Sequence, residues 1–158
     1  IEQEQQSIDL LNELRFQKYK KNTERRSNEY ITGEPDIITE NSIIDIKTSW
    51  SLETFPATPE EGKSSLYEWQ LRAYMILFDK WEAELIYCMI DTDDDLLNEW
   101  DNSSIHKVSN HEPYKRITSL TIHRDELADA QIIAKLIDCY EYYSIYMHEL
   151  NKKNLIYK

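Results

Sequence analysis

The stretch GEPDIITENSIIDIKTSW, Gly33 to Trp50, decides how this chain is read. Within it, Ile43-Ile44-Asp45-Ile46-Lys47 alternates apolar and charged residues with the period of two that a β-strand imposes. Asp45 and Lys47 therefore share one face, and Ile44 and Ile46 share the other. A Gly-Glu-Pro-Asp turn sets Asp36 at the head of a preceding strand, and the polar turn Glu40-Asn41-Ser42 joins the two. Such a hairpin brings Asp36 within reach of Asp45. Taken alone, the pentapeptide also reads as a half-buried strand with isoleucines in and charges out. Two close carboxylates repel, however, and a fold rarely keeps them without a cation or a shared proton. Hard divalent cations such as Mg²⁺ take carboxylate, carbonyl and water oxygens. Lys47 adds a point charge where a negative transition state needs one.

On the N-terminal side, IEQEQQSIDLLNELRFQKY spaces Ile8, Leu11, Leu14 and Phe16 as one face of an amphipathic helix, expected over 2–21. KNTERRSN reads as a polar connection. On the C-terminal side, SLETFPATPEEGK is a loop punctuated by Pro56, Pro59 and Gly62. A helix then begins at Ser65, with Glu68 at capping-box spacing and Leu66, Ala73 and Leu77 along its apolar stripe. Gln70 falls on that stripe, where a buried amide needs a partner, and Tyr74 lies one turn on. AELIYCMID is an apolar run of strand length, read as a central strand buried on both faces. KRITSLTIHR alternates as a further strand. Asp125 caps a final helix whose core side is expected to carry Leu127, Ala130, Ile133, Ala134, Ile137, Tyr140 and Met147. The fold class expected is α/β, a small mixed β-sheet flanked by helices, in one domain over 1–158. Its parts are the N-terminal helix 2–21, a core over 29–91, and a C-terminal strand and long helix over 115–152.

With 158 residues, 41% hydrophobic, the chain can bury a core, so disorder is excluded. The formal net charge of −12 argues against generic affinity for nucleic acid. Against that background Arg15, Lys18, Lys20, Lys21, Arg25 and Arg26 form a basic run, either a solvated face or a phosphate contact made by Lys20, Lys21, Arg25 and Arg26. Cys88 and Cys139 are too few for a disulfide framework or a four-cysteine zinc site and read as buried thiols. His106, His111, His123 and His148 show no metal-ligand spacing. DTDDDLLNEW lacks the glycine and terminal glutamate of a calcium loop. No apolar run is long enough for a membrane span, no signal peptide opens the chain, and a cytoplasmic setting is expected. The start at Ile1 leads us to expect that the natural N-terminus lies upstream.

Pro35-Asp36 followed by Asp45-Ile46-Lys47 resembles the PD-(D/E)xK signature of the restriction-endonuclease-like nucleases. Gln70-Leu71-Arg72-Ala73-Tyr74 resembles the QxxxY motif of the branch that contains RecB and lambda exonuclease. The spacing of GxPD, DIK and QLxAY, with TSW after the lysine, is most similar to the YqaJ-type phage recombination exonucleases. The resemblance covers roughly Glu29 to Asp91. It implies Mg²⁺ or Mn²⁺ held by Asp36, Asp45 and the backbone carbonyl of Ile46, with Asp36, Asp45, Lys47, Gln70 and Tyr74 serving cleavage. It also implies an acid from the N-terminal helix. EQEQQSIDLL offers Glu4 as the best match, with Glu2 and Glu13 behind it, and a solvated glutamate at the helix start is the alternative. The second acid is Asp45 where the superfamily often has Glu, one methylene shorter. The activity implied is a metal-dependent exonuclease acting on duplex DNA ends, with a recombination or single-strand annealing protein as partner. Relatives related to lambda exonuclease form rings around DNA, so a homo-oligomer is a further expectation. The alternatives are an endonuclease of the same superfamily, or an acidic module that mimics DNA.

Overall fold

The computed structural model describes residues 2–153, and of Glu2 the backbone only. Four strands form the main sheet in the order β3 (Ile37–Ile38), β4 (Ser42–Ser49), β5 (Glu82–Met89) and β6 (Ile117–His123). β3 runs antiparallel to β4, β4 parallel to β5, and β5 antiparallel to β6. A parallel pair needs a crossover, and α2 (Ser65–Phe78) supplies it between β4 and β5. A two-stranded ribbon, β1 (Arg26–Ser27) with β2 (Thr32–Gly33), precedes the sheet.

Helices cover both faces of the sheet. α1 (Glu2–Arg15) lays Ile8 and Leu11 on Ile44, Ile46, Ile86 and Cys88. On the other face α2 sets Leu71, Met75 and Phe78 against Ile43 and Leu85. β4 is thus enclosed from both sides, and Ile43, Ile44, Asp45 and Ile46 are all buried. The alternative reading of this strand, with its charges facing out, gives way to an acid enclosed in the protein. β5 is central and largely buried, as its sequence predicts. α4 (Glu126–Lys152) starts where expected, the Asp125 side chain accepting from Leu127 N.

Several expectations are corrected. α1 stops at Arg15 rather than running to 21, because Phe16 takes a left-handed conformation (φ 52°) and Gln17 N donates to Asn12 O at 3.1 Å. The Asn12 side chain then holds the backbone of Tyr19 in both directions, at 2.6 and 3.0 Å, so the chain doubles back along its own helix. The connection after it contributes β1, and the Pro35 turn separates β2 from β3. α2 is capped by Ser64, one residue before the expected Ser65. Its buried face is Leu71, Met75, Leu77 and Phe78, while Leu66 is exposed, since the stripe that meets the sheet starts a turn later. α4 buries only Ala128; Leu127, Ala130, Ala134, Ile137 and Tyr140 are exposed. Only its first turns reach the sheet side, where Ile132, Ile133 and Leu136 pack on the α2 core. Of the two thiols, Cys88 is buried and Cys139 is exposed.

Candidate active site

β4 presents Asp45 and Lys47 toward α2, as the period of two requires. The Pro35 turn carries Asp36 to the same strand, where its Oδ2 accepts from Ile46 N at 2.7 Å. A backbone hydrogen bond thereby pins Asp36 next to Asp45. The turn itself is fixed by Asn22, whose N–H donates to Asp36 O at 2.7 Å and whose Nδ2 donates to Pro35 O at 2.9 Å.

Asp45 is 4% exposed. Burial raises its pKa, with the neighbouring charge of Asp36 adding to the rise and the Lys47 ammonium opposing it. Lys47 Nζ stands 2.6 Å from Asp45 Oδ2, yet that buried oxygen accepts no well-directed hydrogen bond among the described residues. Burial works against the charge of Lys47, but Asp45 outweighs it and the lysine pKa is raised. The lysine is held from above by the Tyr67 ring, 4.6 Å from its centroid. An enclosed carboxylate oxygen with a poorly directed lysine as its neighbour is the kind of donor a hard cation satisfies. By that measure Asp45 fits a divalent metal, with Asp36 pinned beside it.

Glu4 faces the same pocket from α1 but is paired with Lys21, which also lies 2.6 Å from Asp36 Oδ1. Lys21 thus stands among the acids rather than out on a DNA-facing surface. Among the described residues no three His, Cys, Asp or Glu side chains gather into a ready metal cluster. Glu13 is exposed on the far side of α1, beside Asp91 and Arg116, and takes no part. The Glu2 side chain lies outside the described residues.

Gln70 and Tyr74 meet as their spacing predicts, Gln70 Nε2 donating to Tyr74 Oη at 3.0 Å. Gln70 is half-buried and lines a groove of about 880 Å³ between α2 and α4, a groove lined by neither Asp36 nor Asp45. Among the described residues Gln70 makes no hydrogen bond to Lys47. Tyr74 lies against Gly33, where an added Cβ would overlap Tyr74 Cε1 and stand 2.8 Å from Cδ1. The glycine of the GxPD turn therefore makes room for the tyrosine of QxxxY. Gly33→Ala is expected to cost about 1–3 kcal/mol by overpacking and to break the Gln70–Tyr74 bond. Urea denaturation and cleavage assays of the variant measure both effects.

The other basic residues mostly serve local pairs. Arg15 binds Glu84 with two hydrogen bonds, Arg25 pairs with Glu34, and Arg26 pairs with Glu24 while lying over the Phe78 ring. Lys20 is exposed. Sequence reading missed Tyr67, although it lies one turn before Gln70 on the same helix. It also missed the hydroxyl contact of Ser7 with Thr48 (2.8 Å) that ties α1 to the end of β4.

A mixed sheet between helices, with paired acids and a lysine on its inner parallel strand, defines the class of restriction-endonuclease-like nuclease folds. The phage-related exonuclease from Haemophilus somnus 129PT superposes on 94% of this chain and 70% of its own, with 32% identity and a TM-score of 0.88. The chain belongs to the phage-related exonucleases, consistent with a YqaJ-type nuclease of the PD-(D/E)xK superfamily. The alkaline exonuclease from Laribacter hongkongensis shares the fold at 14% identity, over 98% of this chain and 71% of that one, with a TM-score of 0.69. Its complex with dAMP gives the same picture, at 15% identity and a TM-score of 0.67. No family model and no curated protein matches the chain. No described helix is long and apolar enough to cross a membrane.

Proposed function

We propose that this chain is a metal-dependent exonuclease that hydrolyses phosphodiester bonds from duplex DNA ends in phage-type recombination. The observation that carries the reading is the pinning of Asp36 to the backbone of Ile46, which holds it beside the buried, incompletely satisfied Asp45. Asp36, Asp45 and the Ile46 carbonyl hold Mg²⁺ or Mn²⁺. When bound, such an ion polarises a phosphoryl oxygen and makes water ionise near neutral pH. Lys47, fixed between Asp45 and the Tyr67 ring, positions the attacking water and offsets charge at the phosphate. Gln70 orients the Tyr74 hydroxyl, which lies against a phosphate of the bound strand. Lys20, Arg25 and Arg26 contact the DNA backbone. The Arg25–Glu34 and Arg26–Glu24 pairs are solvent-exposed and contribute little to stability, so they exchange readily for phosphate. A single-strand annealing protein would receive the strand exposed by such an activity.

End-labelled linear duplex and closed circles, each with Mg²⁺, Mn²⁺ or EDTA, provide the test. Linear DNA should shorten with either metal and survive in EDTA, while circles persist. Circles cut as fast as linear DNA would turn the reading to an endonuclease, and cleavage in EDTA would remove the metal from it.

A further inference from the structure

We propose that Lys21 is the resident cation of the acid pocket, holding Glu4 and Asp36 together in the metal-free protein and competing with a divalent ion for their oxygens. This rests on the metal-dependent reading above and concerns how that site is loaded. Asp36 has two oxygens, and both are engaged: Oδ2 by the Ile46 N–H at 2.7 Å, Oδ1 by Lys21 at 2.6 Å. The first partner is backbone in the middle of β4 and cannot withdraw without breaking the sheet. Lys21 is the partner that can leave, and it releases Glu4 in the same movement, since one ammonium bridges both acids.

The fold places Lys21 there deliberately enough to matter. The left-handed turn at Phe16 reverses the chain, and Asn12 clamps Tyr19 on one side of the lysine. Asn22 clamps to Pro35 and Asp36 on the other. The stem of Lys21 therefore starts from a fixed point while its four-carbon chain stays free to swing. Charge points the same way. Glu4, Asp36 and Asp45 set three negative charges against the two ammoniums of Lys21 and Lys47. Adding a divalent ion with Lys21 in place would crowd two cations onto Asp36 Oδ1, since Oδ2 already accepts from the Ile46 N–H. Metal entry and Lys21 departure are one exchange.

Calorimetric titration of the full chain with Mn²⁺ alone, together with melting temperatures in EDTA and in Mn²⁺, tests the exchange. Lys21→Met keeps the stem and removes the charge. It should bind Mn²⁺ about three- to tenfold more tightly than the parent. It should also melt lower in EDTA, where Glu4 and Asp36 are left facing one another, so its gain on adding Mn²⁺ widens. Lys21→Arg, which keeps the charge, should bind Mn²⁺ like the parent. Lys21→Gln repeats the test in a polar side chain, in case the methionine variant fails to fold. If the parent binds Mn²⁺ and both uncharged variants bind it equally or more weakly, the competition is refuted and the metal site stands. If no variant and no parent binds Mn²⁺, both readings fall. Binding by the uncharged variants alone would support the competition in its strongest form.

Discussion

Asp45→Asn should lower cleavage of linear DNA by about 10³-fold or more, a loss that single active-site knockouts reach, yet leave the metal-free protein as stable as the parent or more so. Its carboxylate is buried, and one oxygen lacks a well-directed hydrogen bond, so the charge is a burden on the fold until a cation arrives. The sign follows from linkage. Burial raises the folded pKa of Asp45 above its unfolded value, so the native state holds the proton more tightly and stability falls as pH rises through that window. The penalty is absent below the unfolded pKa, grows as pH rises toward the raised folded pKa and is complete above it. Asn removes it, while its amide oxygen stays beside the Lys47 ammonium. Melting in EDTA should therefore show the variant level with or above the parent at pH 7, and the two converging near the acid end. In Mn²⁺ the order should reverse, because only the parent gains a ligand bound by the native state alone. A variant that still cuts DNA, or one that melts well below the parent in EDTA at neutral pH, would refute this account of Asp45.

Asp36→Asn should abolish cleavage to a similar extent but at a different structural cost. Asp36 accepts from two donors at once, the Ile46 N–H and the Lys21 ammonium. An asparagine offers one acceptor oxygen and one NH₂ group, so one of those donors must face another donor. The loss of a charge-assisted bond and the unsatisfied donor together are expected to destabilise the metal-free protein by about 1–3 kcal/mol. Urea unfolding in EDTA measures it. From the sequence both acids look like equal partners in one strained pair, and both asparagine variants would then be neutral or stabilising. The structure separates them: Asp36 is satisfied and supports the fold, whereas Asp45 is enclosed, with Lys47 beside it but no well-directed hydrogen bond at Oδ2. Equal effects of the two substitutions in EDTA would contradict that separation.

The strand carrying Asp45 and Lys47 was legible because period-two alternation is a local property, and Asp36 because a Pro-Asp turn and a short hairpin leave few places for it. The Gln70–Tyr74 bond followed from helical spacing alone. Lys21 was not legible as a member of the pocket. Its position depends on a left-handed residue at Phe16, a conformation that phenylalanine does not advertise. A run of basic residues reads as a surface when the turn that folds it back is unseen. α4 was misread for a related reason. Its apolar spacing is real, but periodicity names a face and not what covers it, and Ile137, Tyr140, Tyr143 and Ile145 stay open to solvent. Likewise the double-sided burial of β4 depends on α1 and α2 arriving from opposite sides, which no window of sequence contains.

The two cysteines give this fold a spectroscopic handle. Cys88 sits beneath α1 with its thiol directed at Ser7 O, and burial pushes its pKa up to about 12, so almost no thiolate is present at neutral pH. Cys139 is exposed on α4. A maleimide fluorophore therefore attaches at one position, on the helix that borders the α2 groove, without disturbing the core or the acids. With the four tryptophans Trp50, Trp69, Trp81 and Trp100 as donors, energy transfer to that single label reads the separation between α4 and the body of the protein as DNA is added.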